Sequence, residues 1–145
     1  MANKTMEKFG HPASVVAEVG AWTIQVRPKQ LALGSLVLIC REPAGAFSQL
    51  SPQAFVDLGA AVAEIERVLK AFVRYERINY LMLMMVDPDV HFHVIPRYEG
   101  ERSFGGATFG DAGWPGPPDL ARGVDLDPDA LAALTAELRS RWAAA

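Results

Sequence analysis

Residues 89–97, Asp-Val-His-Phe-His-Val-Ile-Pro-Arg, constrain the fold more than any other stretch of the chain. A β-strand points successive side chains to opposite faces. Read as a strand, the segment puts Asp89, His91 and His93 on one face, with Arg97 in phase, and Val90, Phe92 and Val94 on the other. The second face is apolar enough to enter a core. The first carries a carboxylate and two imidazoles, groups that can change protonation near neutral pH. Such a strand requires a sheet with one face buried and the other available for chemistry.

The flanking segments supply the rest of that sheet. Trp22 to Arg27 alternates apolar and polar residues, with Ser14 to Val19 as its hairpin partner across Gly20 and Pro28 limiting its continuation. Leu36 to Cys40 is a continuous apolar run, the mark of a central strand, broken by Glu42-Pro-Ala-Gly. Asn79 to Val86 reads as a further buried strand ended by Asp87-Pro88, with Leu81 to Met85 as core packing. Ser51-Pro52 pairs a serine N-cap with proline at the first helical position. Phe55, Leu58, Val62, Ile65, Leu69 and Phe72 then recur at helical spacing, predicting a helix over 51–73. Asp127-Pro128 opens a last helix with Leu131, Leu134, Leu138 and Trp142 on one side. Residues 1–13 read as a loose lead-in. Glu99 to Arg122, rich in Gly and Pro, reads as a long ordered arm.

Composition narrows the function classes. A chain of 145 residues, half of them hydrophobic, fits one globular domain. A net charge of −3 without a basic run argues against nucleic acid held by a broad electrostatic patch, though a small phosphate pocket needs no net positive charge. Cys40 stands alone, so neither an intrachain disulfide nor a cysteine zinc cluster can form. Leu81 to Val86 is too short to span a bilayer, and residues 1–8 lack the apolar run of a signal peptide. A reducing cytoplasm is the expected setting.

His91 and His93 admit three readings: exposed polar positions, metal ligands or a nucleophilic pair. Alternate strand residues splay outward, so a metal would need help from Asp89 and from another element; His11 is the one remaining histidine. A neutral imidazole nitrogen is a competent nucleophile towards phosphorus, and the phosphoryl-imidazole it forms is hydrolysable.

The same residues carry a family resemblance. The stretch from Asp89 to Arg97 is similar to the His-φ-His-φ-His-φ-φ signature (φ apolar) of the histidine triad family of nucleotide hydrolases and transferases. His91 and His93 match its middle and last histidines, and Asp89 replaces the first. Leu33 to Ile39 resembles the family's Pro-Gly-His entry into a strand, with Ser35 where histidine is usual. The resemblance covers roughly residues 14–98, leaving 99–145 as an arm and C-terminal helix on the same domain. It implies an α+β fold: a mostly antiparallel sheet of about five strands with one main packed helix, in a homodimer. It implies that His91 attacks the α-phosphate of a purine nucleotide conjugate, such as a dinucleoside polyphosphate or a nucleoside phosphoramidate, forming a nucleotidyl-histidine. It assigns His93 to the phosphate oxygens, and Asp89, Ser35 and Arg27 to the phosphate or nucleotide, with no cofactor; Arg97, in phase with the histidines, reads either as a further phosphate ligand or as a surface ion-pair partner. Lys29 lies beside Arg27, where relatives carry a polar residue near the ribose. Relatives have a longer phosphate-binding loop before the histidines; here Asp87-Pro88 stands in its place. Asp89 is expected either to act electrostatically on His91 or to cap the preceding turn. Two alternatives stay open: a nucleotide-binding module with little turnover, and a metal-binding His-x-His protein.

Overall fold

The computed structural model describes residues 2–144. Residues 1 and 145, counted above with the lead-in and the last helix, lie outside the described residues. The chain opens with a short helix, α1 (Lys4–Lys8), followed by β1 (Val15–Val19), β2 (Trp22–Val26), β3 (Lys29–Gln30) and β4 (Leu36–Cys40). A 3-10 turn at Phe47–Gln49 leads into α2 (Pro52–Val73). Next come β5 (Arg77–Leu81), β6 (His91–Arg97), β7 (Glu101–Phe104), β8 (Ala107–Gly110), β9 (Val124–Asp125) and α3 (Pro128–Ala144).

The main sheet has five strands in the order β1-β2-β4-β6-β5, and every neighbouring pair is antiparallel. Register assigns its faces. Ile24 pairs with Leu38 and Leu38 with Phe92; Val26 pairs with Leu36 and Leu36 with Val94. These rows, with Trp22 and Cys40, belong to the main core cluster, together with Ala61, Ile65 and Leu69 of α2 and Leu134 and Leu138 of α3. The opposite rows bring Gln25 against Val37 and Val37 against His93, and Thr23 against Ile39 and Ile39 against His91. The histidines therefore occupy the face away from the two long helices.

Local chemistry explains the elements read correctly from sequence. Ser51 caps α2, its Oγ accepting from the Ala54 amide at 3.1 Å. The β1–β2 hairpin turns at Gly20, whose φ is +54°. A Cβ there would lie 2.2 Å from the Asp57 carboxylate, which accepts from the Ala21 amide instead. The buried stripe of α2 is Ala54, Ala61, Ile65, Val68, Leu69 and Val73. Phe55, expected on that stripe, is 42% exposed and packs against Phe47 with the rings tilted by 46°.

Three expectations need correction. Within the described residues, the segment 2–13 of the expected lead-in is not loose: α1 lies on the second face of the sheet, where Met6 and Phe9 join Val37 and Ile39 in a separate buried cluster. Buried Gln25 holds the segment down, donating to the Met6 and Phe9 carbonyls. The strand expected at 79–86 starts at Arg77 and stops at Leu81. Residues 82–90 form a loop, with Met85 84% and Val86 83% exposed, so only part of that apolar run is core. The arm is also more structured than its composition suggests. It contains the β7–β8 hairpin, and β9 returns to pair with β3, setting Asp125 opposite Lys29.

Candidate functional site

A cleft of about 370 Å³ opens on the histidine face. Five parts of the chain build it: Lys8 and Phe9 at the end of α1, Arg27 to Lys29 after β2, the 82–90 loop, β6, and Asp125 of β9. His91 and His93 form its floor, 2% and 8% exposed. Their rings meet edge to face with centroids 5.3 Å apart.

Each imidazole is oriented through Nδ1. The His91 Nδ1 lies 2.7 Å from the Asp89 carbonyl oxygen, a geometry that requires a proton on Nδ1 and, in the neutral ring, puts the lone pair on Nε2. The Arg27 Nε donates to the His93 Nδ1 at 3.4 Å, which places the proton of a neutral His93 on Nε2. Arg27 is itself fixed by donating from Nη1 to the Lys29 carbonyl at 2.7 Å. Burial lowers the His93 pKa to about 4, and the nearby Arg27 guanidinium and His91 push the same way. His93 is therefore neutral at physiological pH. The pair couples an imidazole with an open lone pair to a neighbour that can donate a hydrogen bond.

Other residues expected at the site lie elsewhere. The Asp89 side chain turns away from the imidazoles: its carboxylate accepts from the Thr5 amide at 3.1 Å and the Thr5 hydroxyl at 2.9 Å. β6 begins at His91, so Asp89 is not on the strand and does not share the histidine face. It bonds a backbone amide, as one expectation had it, but that amide is Thr5 in the first turn of α1, a helix capped by Asn3, and not one in its own turn. Ser35 is fully buried, and its hydroxyl donates to the Ala32 carbonyl at 2.7 Å beside Gly34, which has φ +101°. It closes a turn and does not reach the cleft. Arg97 is buried at the far end of β6, where Nε and Nη2 both bond Asp111, Nη1 donates to Asn79, and Nη2 also donates to the Gly116 carbonyl. It locks the arm to the sheet.

The structure adds residues that sequence reasoning passed over. Asp87 brings Oδ2 to 4.0 Å from the His91 Nε2 and takes a 2.7 Å salt bridge from Lys8 on Oδ1. Leu83, Met85 and Val86 form an apolar wall opposite Phe9 and Pro28. The abrupt end of the apolar run at Asp87-Pro88 is the local signal of the exposed loop; nothing local signals Lys8. Among the described residues, no group of three or more His, Cys, Asp or Glu side chains is arranged to hold a metal ion. None of the described helices is long and apolar enough to cross a membrane.

No protein-family model matches the chain, and no curated protein matches its sequence. Solved structures do match. A histidine triad protein from Sinorhizobium meliloti superposes with a TM-score of 0.74 at 19% identity, covering 97% of this chain and 96% of that one. One from Marinobacter aquaeolei gives 0.73 at 16% identity, covering 99% and 96%. One from Bradyrhizobium japonicum gives 0.72 at 17% identity, covering 97% and 96%. The likeness therefore runs through the arm and α3 as well as residues 14–98. With its five-stranded antiparallel sheet, packed helices and C-terminal helix, this chain has the fold of the histidine triad proteins.

Proposed function

We propose that the chain is a hydrolase or nucleotidyltransferase acting at the α-phosphate of a purine nucleotide conjugate, a dinucleoside polyphosphate or a nucleoside phosphoramidate. The observation that carries this reading is the 2.7 Å contact between the His91 Nδ1 and the Asp89 carbonyl, which in the neutral imidazole puts the proton on Nδ1 and the lone pair on Nε2, at the cleft. In the first step the Nε2 lone pair forms a bond to phosphorus, and the bond from phosphorus to the leaving group breaks. The leaving group departs with that electron pair and takes a proton from solvent. The imidazole gains positive charge, which the Asp89 carbonyl stabilises through the Nδ1 proton. In the second step the oxygen of water, or of another acceptor, forms a bond to phosphorus and loses its proton to solvent, while the phosphorus–Nε2 bond breaks and its electron pair returns to Nε2, restoring neutral His91. His93 donates from Nε2 to a phosphate oxygen, and such a donor contributes roughly 3–4 kcal/mol when well placed. Arg27 sets the His93 tautomer and adds positive charge. Asp89 serves through its backbone carbonyl, so the absence of a histidine there leaves the nucleophile's orientation intact.

A second reading, a nucleotide-binding module with little turnover, draws on the Asp87 carboxylate lying 4.0 Å from the His91 Nε2, where an anionic phosphate would approach. Incubation with a panel of α-labelled conjugates, followed by mass spectrometry, separates the two. The expected result is a nucleotidyl adduct on His91, with turnover abolished in His91→Ala and slowed roughly 10²–10³-fold in His93→Ala. Near-normal hydrolysis by folded His91→Ala protein would refute the covalent mechanism. Binding without an adduct or product would favour the second reading.

A further inference from the structure

The Asp87 carboxylate occupies a telling position. One oxygen is 2.7 Å from the Lys8 Nζ and the other is 4.0 Å from the His91 Nε2. A single anionic group thus spans the cation on α1 and the nitrogen on β6. A phosphoryl group attacked by Nε2 must bring its phosphorus to about 3–3.5 Å from that nitrogen. Its oxygens would then fall where the carboxylate now lies, and both cannot be accommodated.

The two ends of this clasp are anchored differently. Lys8 sits on a helix pinned by buried Met6 and Phe9 and by the bonds from Asp89 to Thr5. Asp87 sits on a loop whose preceding residues, Met85 and Val86, are almost fully exposed. Met84 adopts φ +52°, a left-handed conformation disfavoured for its side chain. Asp89, tied to Thr5, limits any displacement to the segment before it. The backbone that carries Lys8 is therefore anchored and the loop backbone that carries Asp87 is the movable one, although the Asp87 side chain is the less exposed of the two.

We propose that Lys8 and the adjacent mouth of the cleft form an anion subsite that Asp87 fills from within the chain. Asp87 acts as an intramolecular competitor of the ligand's phosphate, and Lys8 receives that phosphate when the part of the loop before Asp89, residues 82–88, swings away. The inference rests on the proposed function only in taking the anion at His91 to be a phosphate. It adds two specificity-determining residues: Lys8, which favours ligands with a further anionic oxygen beyond the one at His91, and Asp87, which rejects ligands too weakly charged to displace it.

Titration calorimetry with inorganic pyrophosphate and, separately, with AMP tests the subsite in the full chain. The proteins compared are wild type, Asp87→Asn, Asp87→Ser, and Lys8→Gln/Asp87→Asn. Neutralising Asp87 should tighten pyrophosphate binding at least about fivefold, the Coulomb penalty lifted when a unit charge about 4 Å away is removed in a water-like medium. Both Asp87 variants should behave alike, and adding Lys8→Gln should cancel the gain. Equal binding by wild type and Asp87→Asn, a gain that survives Lys8→Gln, or no binding by any of the proteins would overturn the subsite. If AMP binds every variant equally, the subsite fails and the nucleotide reading stands. If pyrophosphate responds as expected but AMP does not bind, the nucleotide reading fails and the subsite stands.

Discussion

Lowering the pH should destabilise the fold through His93. Its pKa is about 4 in the folded protein, held down by burial first and by Arg27 and His91 after that. In the unfolded chain an ordinary histidine titrates near about 6.5. The folded value is the lower one, so the unfolded state binds the extra proton between these limits. Stability attributable to His93 is therefore full above about pH 6.5 and falls as the pH drops towards 4. At about 1.36 kcal/mol per unit, the separation sets an upper limit of about 3.4 kcal/mol. The ring borders a solvent-filled cleft, and screening there reduces the expected loss to about 2 kcal/mol. Urea unfolding at about pH 7.5 and about pH 4.5 measures it, provided carboxylate titrations are removed by comparison with His93→Asn. Wild type should lose about 1–2 kcal/mol more than the variant over that interval. Nitrogen-resolved NMR of the His93 ring gives the midpoint directly. A midpoint at or above 6.5, or the same pH dependence in both proteins, would refute the reasoning.

The Arg97–Asp111 pair is buried on both sides, so Asp111→Ala should cost about 3–5 kcal/mol by leaving a guanidinium unpaired, read by denaturant midpoint. The cleft residues do not contact the pair, so nucleotide affinity of the folded fraction should stay near wild type. Asp89→Ala should release the first turn of α1 and cost about 1 kcal/mol, with faster amide exchange at Thr5; unchanged exchange there would contradict the role of that bond. β5 is an edge of the main sheet with one side unpaired, a surface suited to a symmetric partner. Light scattering at micromolar concentration should give twice the 15.7 kDa chain mass, and a stable monomer would contradict a homodimer.

Legibility followed the range of the interactions. The histidine strand was readable because its two faces differ at a period of two within seven residues. The start of α2 was readable because Ser51 and Pro52 act on the adjacent backbone. Leu81 to Val86 misled because an apolar run looks the same whether it enters a core or walls a cleft. Asp89 was placed on the wrong face because its partner, Thr5, is 84 residues away and nothing local announces the bond. Ser35 is assigned to the ligand by position in a motif, and Arg97 is admitted there by its phase with the histidines. Their actual partners, the Ala32 carbonyl and Asp111, lie in a turn and in an arm that the motif does not cover. Arg27 is placed near the nucleotide by its position before the Gly34 strand; its bond to the His93 Nδ1 becomes visible only once β2 and β6 are set on either side of β4.

The contacts that complete the cleft also set when it can form during folding. Thr5 joins Asp89, Asp125 pairs with Lys29, and Arg139 on α3 donates to the Val15 carbonyl across 124 positions of sequence. Closing loops of that length is slow relative to forming local hairpins and helices. The β1–β2 hairpin and α2 can therefore gain structure early, whereas the pocket waits for α1, the 82–90 loop and β9 to converge. In a refolding experiment, ligand binding should recover later than the circular dichroism of helix and sheet. A ribosome-bound chain shorter than about 125 residues would display His91 in a cleft that lacks its Asp125 side.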